Sequence, residues 1–133
     1  VKTPNLYTCG VDYVGVSNLF TFFKSFPPYW KPYMATLYEQ WYDENNPEEA
    51  QIMTEVSPAL NVDKMKKPLL IVQGANDPRV NINESDQVVE NLRKRGVDVP
   101  YMVKYDEGHG FHRESNNIEL YKVMMGFFAK HLK

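Results

Sequence analysis

Leu69-Leu70-Ile71-Val72-Gln73-Gly74-Ala75-Asn76-Asp77-Pro78-Arg79-Val80 is the stretch that decides the fold. Behind Lys66-Lys67-Pro68 the run from Leu69 to Gln73 is apolar, and Gly74 stops it. A short apolar run between a proline and a glycine reads as a strand buried on both faces, the kind a parallel sheet requires (strand 69–73). Asn76-Asp77-Pro78 is turn chemistry. Asn81 then caps a helix, with Glu84 three positions on as its capping-box partner. Val88, Val89 and Leu92 give that helix its apolar face. Arg93-Lys94-Arg95 suit its carboxyl-terminal dipole, and Gly96 ends it.

Working outward, Val97, Val99, Tyr101, Val103 and Tyr105 alternate, which predicts a strand over about 99–105. Pro100 lacks a donor and must face an edge or a bulge. Ser115 is expected to cap a last helix with Ile118, Tyr121, Met125, Phe128 and Leu132 on its buried face. Upstream, Cys9-Gly10-Val11-Asp12-Tyr13-Val14-Gly15-Val16 reads as a further strand, over about 10–16. Of the 18 aromatic residues, 12 lie between Tyr7 and Tyr42. Pro27, Pro28 and Pro32 forbid a continuous helix there. Such a loop can line a pocket, but aromatics mainly serve as buried area, so its plain reading is a cover over the core. Met34, Leu37, Tyr38, Trp41 and Tyr42 recur at helical spacing. The segment 43–49 reads as a polar turn and 51–57 as a short helix ending before Pro58. Strands alternating with helices predict the α/β class, with three mainly parallel strands and helices packed on the sheet.

The 133 residues fit one domain. A net charge of −2 excludes a basic nucleic-acid footprint and a polybasic membrane surface. No apolar run approaches the roughly 20 residues of a membrane span. The single cysteine, Cys9, excludes an internal disulfide framework and a cysteine zinc site, and it reads as a small core residue. The chain opens Val1-Lys2-Thr3-Pro4, without an initiator Met or a signal-peptide layout, and reaches a strand pattern at once. The expectation is a fragment whose native amino terminus, and with it any targeting signal, is missing.

Parallel sheets gather catalytic groups at the carboxyl ends of their strands. Asp77 lies just beyond one such end and His109, in Asp106-Glu107-Gly108-His109-Gly110-Phe111, just beyond another. Both loops fall at one edge of the sheet, so the two residues can meet. A carboxylate accepting from one imidazole nitrogen fixes the tautomer and frees the other nitrogen as a base. Gly108 and Gly110 allow a tight loop that aims the ring outwards. Taken singly, Asp77 reads as a turn cap and His109 as a glycine-rich surface turn; their order at consecutive strand ends favours chemistry. The five serines are Ser17, Ser25, Ser57, Ser85 and Ser115, and none sits in a complete Gly-x-Ser-x-Gly elbow. Ser17 has Gly15 before it but Leu19 after it, and no helix is expected to follow, so it reads as a decoy. His109, His112, Asp106 and Glu107 are a weak metal signal without helical ligand spacing. His131 reads as a solvated helix-end residue.

The blocks Leu69 to Val80, Glu84-Ser85-Asp86-Gln87, Gly96-Val97-Asp98-Val99 and Glu107 to Phe111 resemble the carboxyl-terminal part of prolyl oligopeptidase family serine peptidases. Cys9 to Gly15 and Ser57-Pro58 are similar to that family too. The likeness is greatest to dipeptidyl-peptidase and acylaminoacyl-peptidase-like members. The resemblance implies that residues 1–133 are the carboxyl-terminal portion of an α/β-hydrolase catalytic domain. It implies Asp77 orienting His109, His109 as general base, a peptide substrate and no cofactor. It also implies that the nucleophile elbow, its oxyanion donors and a covering β-propeller lie upstream of Val1. Gln73, at the buried end of its strand, departs from relatives that often carry His, a departure that leaves the assignment of Asp77 and His109 unchanged. Arg79 is expected to brace its loop. The strand at Val11 to Val16 would be left as an open edge, ready for self-association or for pairing with the rest of the hydrolase domain. Asp77 is expected at about 2.6–3.2 Å from a His109 ring nitrogen. Two alternatives stand beside the peptidase: a carboxylesterase on the same fold, and a non-catalytic, self-associating module.

Overall fold

The computed structural model describes residues 1–132. Three strands, β1 (Gly10–Tyr13), β2 (Leu69–Gly74) and β3 (Tyr101–Lys104), form one parallel sheet in the order β1-β2-β3. The helices are α1 (Leu19–Lys24), α2 (Met34–Gln40), α3 (Pro47–Val56), α4 (Ile82–Lys94) and α5 (Glu114–His131). None of them is long and apolar enough to cross a membrane.

The period of two along β2 separates two cores. Ile71 joins Ala59, Val88, Val89, Leu92 and Val99 on the α4 side. Leu70 and Val72 join Phe111, Leu120 and Phe127 on the α5 side. Each such buried side chain contributes roughly 1.5–3 kcal/mol, so β2, buried on both faces, anchors the fold. The α/β class and the parallel arrangement are as expected.

The outer strands are shorter than their alternation suggests. β1 stops at Tyr13 rather than residue 16 because Val14 turns to φ 53, a conformation that a β-branched residue rarely adopts. β3 begins at Tyr101, since Pro100 contributes only its carbonyl, which accepts from the Ile71 amide at 3.0 Å. Gly74 extends β2 one residue past the expected end.

Several expectations about helices need correction. The segment after Ser17 is α1, with Asn18 accepting from the Phe20 amide at 3.1 Å as its cap. The prolines allow a 3₁₀ turn over Pro28–Tyr33 instead of a bare loop. α3 starts at Pro47, inside the expected polar turn, because Asn46 caps it and proline suits the first helical position. Trp41 lies just beyond α2, not within it. Ser115 does not cap α5: the helix starts at Glu114 and buries Asn116, Leu120 and Phe127. Ile118, Tyr121, Met125 and Leu132 are exposed. α5 is apolar on most sides, so its periodicity could not select the buried face.

Glu84 is not a capping-box partner. Its carboxylate is buried and accepts from the amides of Ser17 at 3.0 Å and Asn18 at 2.8 Å, and from the Thr21 hydroxyl. Asn18 also donates to Gln87 at 2.7 Å. This clasp ties the start of α1 to α4, and so sets where the aromatic segment sits.

Candidate active site

β2 and β3 run parallel, so the loops beyond Gly74 and Lys104 emerge side by side. Main-chain bonds join them: the Ala75 amide donates to the Lys104 carbonyl at 2.9 Å and the Asn76 amide to the Glu107 carbonyl at 3.0 Å. The Asn76 side chain adds a bond to the Tyr105 carbonyl at 2.6 Å. The approach needs glycine at 74, where a Cβ would stand 2.1 Å from the Gly108 carbonyl oxygen. Gly110, at φ 89, then turns the chain after His109.

This scaffold brings the two expected residues together. His109 Nδ1 lies 2.8 Å from Asp77 Oδ2. Asp77 Oδ1 accepts the amides of Arg79 at 2.8 Å and Val80 at 2.9 Å, an Asx turn that holds the carboxylate. Asp77 thus caps its turn through one carboxylate oxygen and meets His109 through the other. The Asp77 side chain is 0% exposed and the His109 side chain 34% exposed, so the carboxylate is shielded while the ring reaches solvent. In the tautomer that donates Nδ1–H to Asp77, Nε2 carries a free lone pair.

Around the pair, three groups fix the loops. The Glu107 carboxylate accepts from the amides of His112 and Arg113, each at 2.9 Å, and from Asn116 at 2.7 Å. These bonds, the His112 amide foremost, hold the Glu107 carboxyl below the usual carboxylate range. Asp106 pairs with Arg113 at 3.0 Å. Both acids near His112 are thus engaged in starting α5, and no group of three or more metal-ligating side chains occurs among the described residues. The Tyr13 hydroxyl accepts the Phe111 amide, and their rings meet edge to face at 5.3 Å, tying β1 to the His109 loop. Burial pushes the Tyr13 phenol up.

Gln73 sits at the buried end of β2, as expected, and from there it reaches Asp77. It is fully buried, and its Nε2 lies 3.4 Å from Asp77 Oδ2 and 3.0 Å from the Val80 carbonyl. Its Oε1 accepts from Ser85 at 3.0 Å. Two signals pointed to it: a polar residue ending an apolar run, and Ser85 on the same helical face as Val88, Val89 and Leu92. Arg79 is exposed and contributes its backbone to the loop; its side chain lines the cleft rather than bracing the turn.

The cleft beside His109 measures about 690 Å³ and is walled by Phe22, Phe26, Trp30, Trp41, Arg79 and neighbouring residues. Phe23 is buried beneath, stacked at 5.9 Å on Trp41. The aromatic segment therefore buries Phe23 among its own rings and lines a pocket. Ser17 is 1% exposed, and its hydroxyl donates to the Glu84 carbonyl at 2.5 Å, so it is committed to the clasp. Cys9 packs, partly buried, against the α5-side core. His131 lies 4.7 Å from the Phe127 ring, half-buried instead of solvated.

Known proteins resemble this chain in sequence and in fold. The chain is 45% identical over 128 residues to dipeptidyl aminopeptidase BIII of Pseudoxanthomonas mexicana, covering 96% of this chain and 19% of that protein. It is 42% identical over 118 residues to dipeptidyl peptidase family member 6 of Caenorhabditis elegans, covering 88% of this chain and 16% of that protein. The chain thus spans less than a fifth of the length of these relatives. A puromycin-hydrolyzing peptidase of Mycobacterium tuberculosis shares the fold with a TM-score of 0.80 at 23% identity, over 93% of this chain and 18% of that one. The Pyrococcus horikoshii acylaminoacyl peptidase does so with a TM-score of 0.75 at 23% identity, over 97% of this chain and 21% of that one. The fold is that of the α/β-hydrolase peptidases, and the sequence profile of the prolyl oligopeptidase family matches residues 1–133: the chain belongs to that family.

Proposed function

We propose that this chain supplies the aspartate and histidine of a Ser-His-Asp triad that hydrolyses peptide bonds by acyl transfer. One observation carries the reading: a shielded Asp77 carboxylate 2.8 Å from the Nδ1 of His109, whose ring opens on an aromatic-walled cleft. In this reading His109 Nε2 takes the proton of a serine hydroxyl as that oxygen attacks the carbonyl, then gives it to the leaving amine. Asp77 holds the tautomer and stabilises the imidazolium. The serine comes from a segment of the complete polypeptide outside these residues: none of the five serines here lies in a nucleophile elbow, the Ser17 hydroxyl is engaged with Glu84, and that of Ser25, on the cleft wall, with the Phe22 carbonyl. The cleft suits an apolar or aromatic side chain of a peptide substrate. The names of the relatives, dipeptidyl aminopeptidase and dipeptidyl peptidase, support a peptide over an ester.

The outer edge of β1 takes no strand among the described residues. We propose that it pairs with the strand that carries the nucleophile or, in the isolated chain, with a second copy.

A fluorophosphonate probe on the complete polypeptide tests the assignment. Labelling and peptide hydrolysis should both be present, and Asp77→Asn should lower kcat by about 10⁴-fold. The 133-residue chain alone should neither label nor turn over. Labelling that survives His109→Ala unchanged would refute the triad, and turnover of esters without amides would assign a carboxylesterase.

A further inference from the structure

Asp77 is the buried member of the dyad, and four groups determine where its carboxylate points. Two are the amides of its own turn, on Oδ1. The other two meet at Oδ2: His109 Nδ1 at 2.8 Å and Gln73 Nε2 at 3.4 Å. Gln73 comes from the strand beneath, not from the turn, so it is the one contact that references the carboxylate to the sheet.

The orientation of the Gln73 amide is determined by its surroundings. Its nitrogen faces the carbonyls of Val80 at 3.0 Å and Gly74 at 3.2 Å as well as the carboxylate. Reversing the amide would set an oxygen against three oxygens. At the other end, Ser85 donates to Oε1 at 3.0 Å. Ser85 lies one turn into α4, so the amide is clamped from a second element. The ring closes through Val80, whose amide donates to Asp77 Oδ1 while its carbonyl accepts from Gln73. No described side-chain polar atom in this buried region lacks a partner.

We propose that Gln73, clamped by Ser85, is a positioning residue of the acid–base pair. It holds Asp77 Oδ2 in line with His109 Nδ1 and, being an amide, does so without gaining or losing charge as pH changes. The inference rests on the triad reading above. Gln73 is fully buried and is not among the residues lining the cleft, so it acts through Asp77 and not on substrate.

The test uses the complete polypeptide and two readouts, peptide hydrolysis and the downfield proton resonance of the His109 Nδ1–H in its bond to Asp77. Gln73→Leu should shift or broaden that resonance and lower kcat by about ten- to a hundredfold with KM unchanged, the scale of a small misplacement of catalytic groups. Gln73→His, which restores an N–H donor, should recover most of the loss. Ser85→Ala leaves every atom of Gln73 in place and should give a smaller change in the same direction; should Gln73→Leu fail to fold, it carries the test. An unchanged resonance and unchanged kcat in a folded Gln73→Leu would overturn the proposal, as would a change confined to KM. If the wild-type protein neither labels with fluorophosphonate nor hydrolyses peptides, the triad reading fails, while the resonance still reports whether Gln73 orients Asp77.

Discussion

Removing the Glu84 carboxylate is the perturbation whose cost the structure defines best. Glu84 is 1% exposed and receives the amides of Ser17 at 3.0 Å and Asn18 at 2.8 Å. A hydrogen bond to a charged group contributes about 1.5–3 kcal/mol, and a buried donor left alone forfeits its hydration as well. Glu84→Ala strands both amides. The Thr21 hydroxyl also loses the carboxylate, but it already reaches the Asn18 carbonyl at 3.1 Å and adds little to the loss. Two stranded donors give a loss of about 3–6 kcal/mol, a large fraction of the 5–15 kcal/mol that holds a typical domain together. Urea unfolding followed by tryptophan fluorescence suits this question, because Trp41 stacks on Phe22 and Phe23, which α1 carries. Hydrogen exchange over residues 17–24 should accelerate before that of the sheet. A loss below about 1 kcal/mol, with protected Ser17 and Asn18 amides, would show that water or a rearranged turn replaces the carboxylate and that the clasp is not what sets α1.

Two further outcomes are expected. Gly74→Ala places a methyl 2.1 Å from the Gly108 carbonyl, so the two loops must separate; peptide hydrolysis should fall sharply, and hydrolysis at the wild-type rate would refute the close approach. Burial pushes the Asp12 carboxyl above its ordinary value of 3.8, outweighing the opposing Gly15 amide, so the folded state disfavours the charged form. The stability this group allows is full below that ordinary value and is lost as pH rises through the folded pKa; Asp12→Asn should therefore raise the unfolding midpoint at neutral pH, with the gain vanishing in acid. An equal gain at both pH values would sink that account.

How much of this was legible in the sequence depended on whether one residue could satisfy one rule. The run from Leu69 to Val72 could only be a doubly buried strand, and the loops at Asp77 and His109 followed from its direction. α5 was different, because Ile118, Leu120, Tyr121, Met124, Met125, Phe127 and Phe128 offer more than one apolar stripe. Only the docking of Leu120 and Phe127 on the sheet selects among them. The polar supports were hidden for another reason. Glu84 and Ser17 lie far apart in the chain, and a buried carboxylate satisfied by backbone amides leaves no compositional mark. Gln73 was visible as a polar interruption of an apolar strand, but its partners, Ser85 and Asp77, became apparent only once the helix and the turn were placed.

The zipping of the two strand-end loops also bears on how such a site can be switched. Ala75, Asn76, Lys104 and Glu107 are joined through the main chain, so no side-chain substitution at Asp77 or His109 unfastens them. Asp77 and His109 should therefore move together. On the triad proposed above, conformational control would act on the gap between that pair and the serine, by tilting or withdrawing one relative to the other. By the same logic, Asp77→Asn should leave both loops and the cleft wall in place, whereas His109→Ala removes part of that wall. If the triad proposed above holds, Asp77→Asn in the complete polypeptide should hold a peptide in the cleft while turning it over far more slowly.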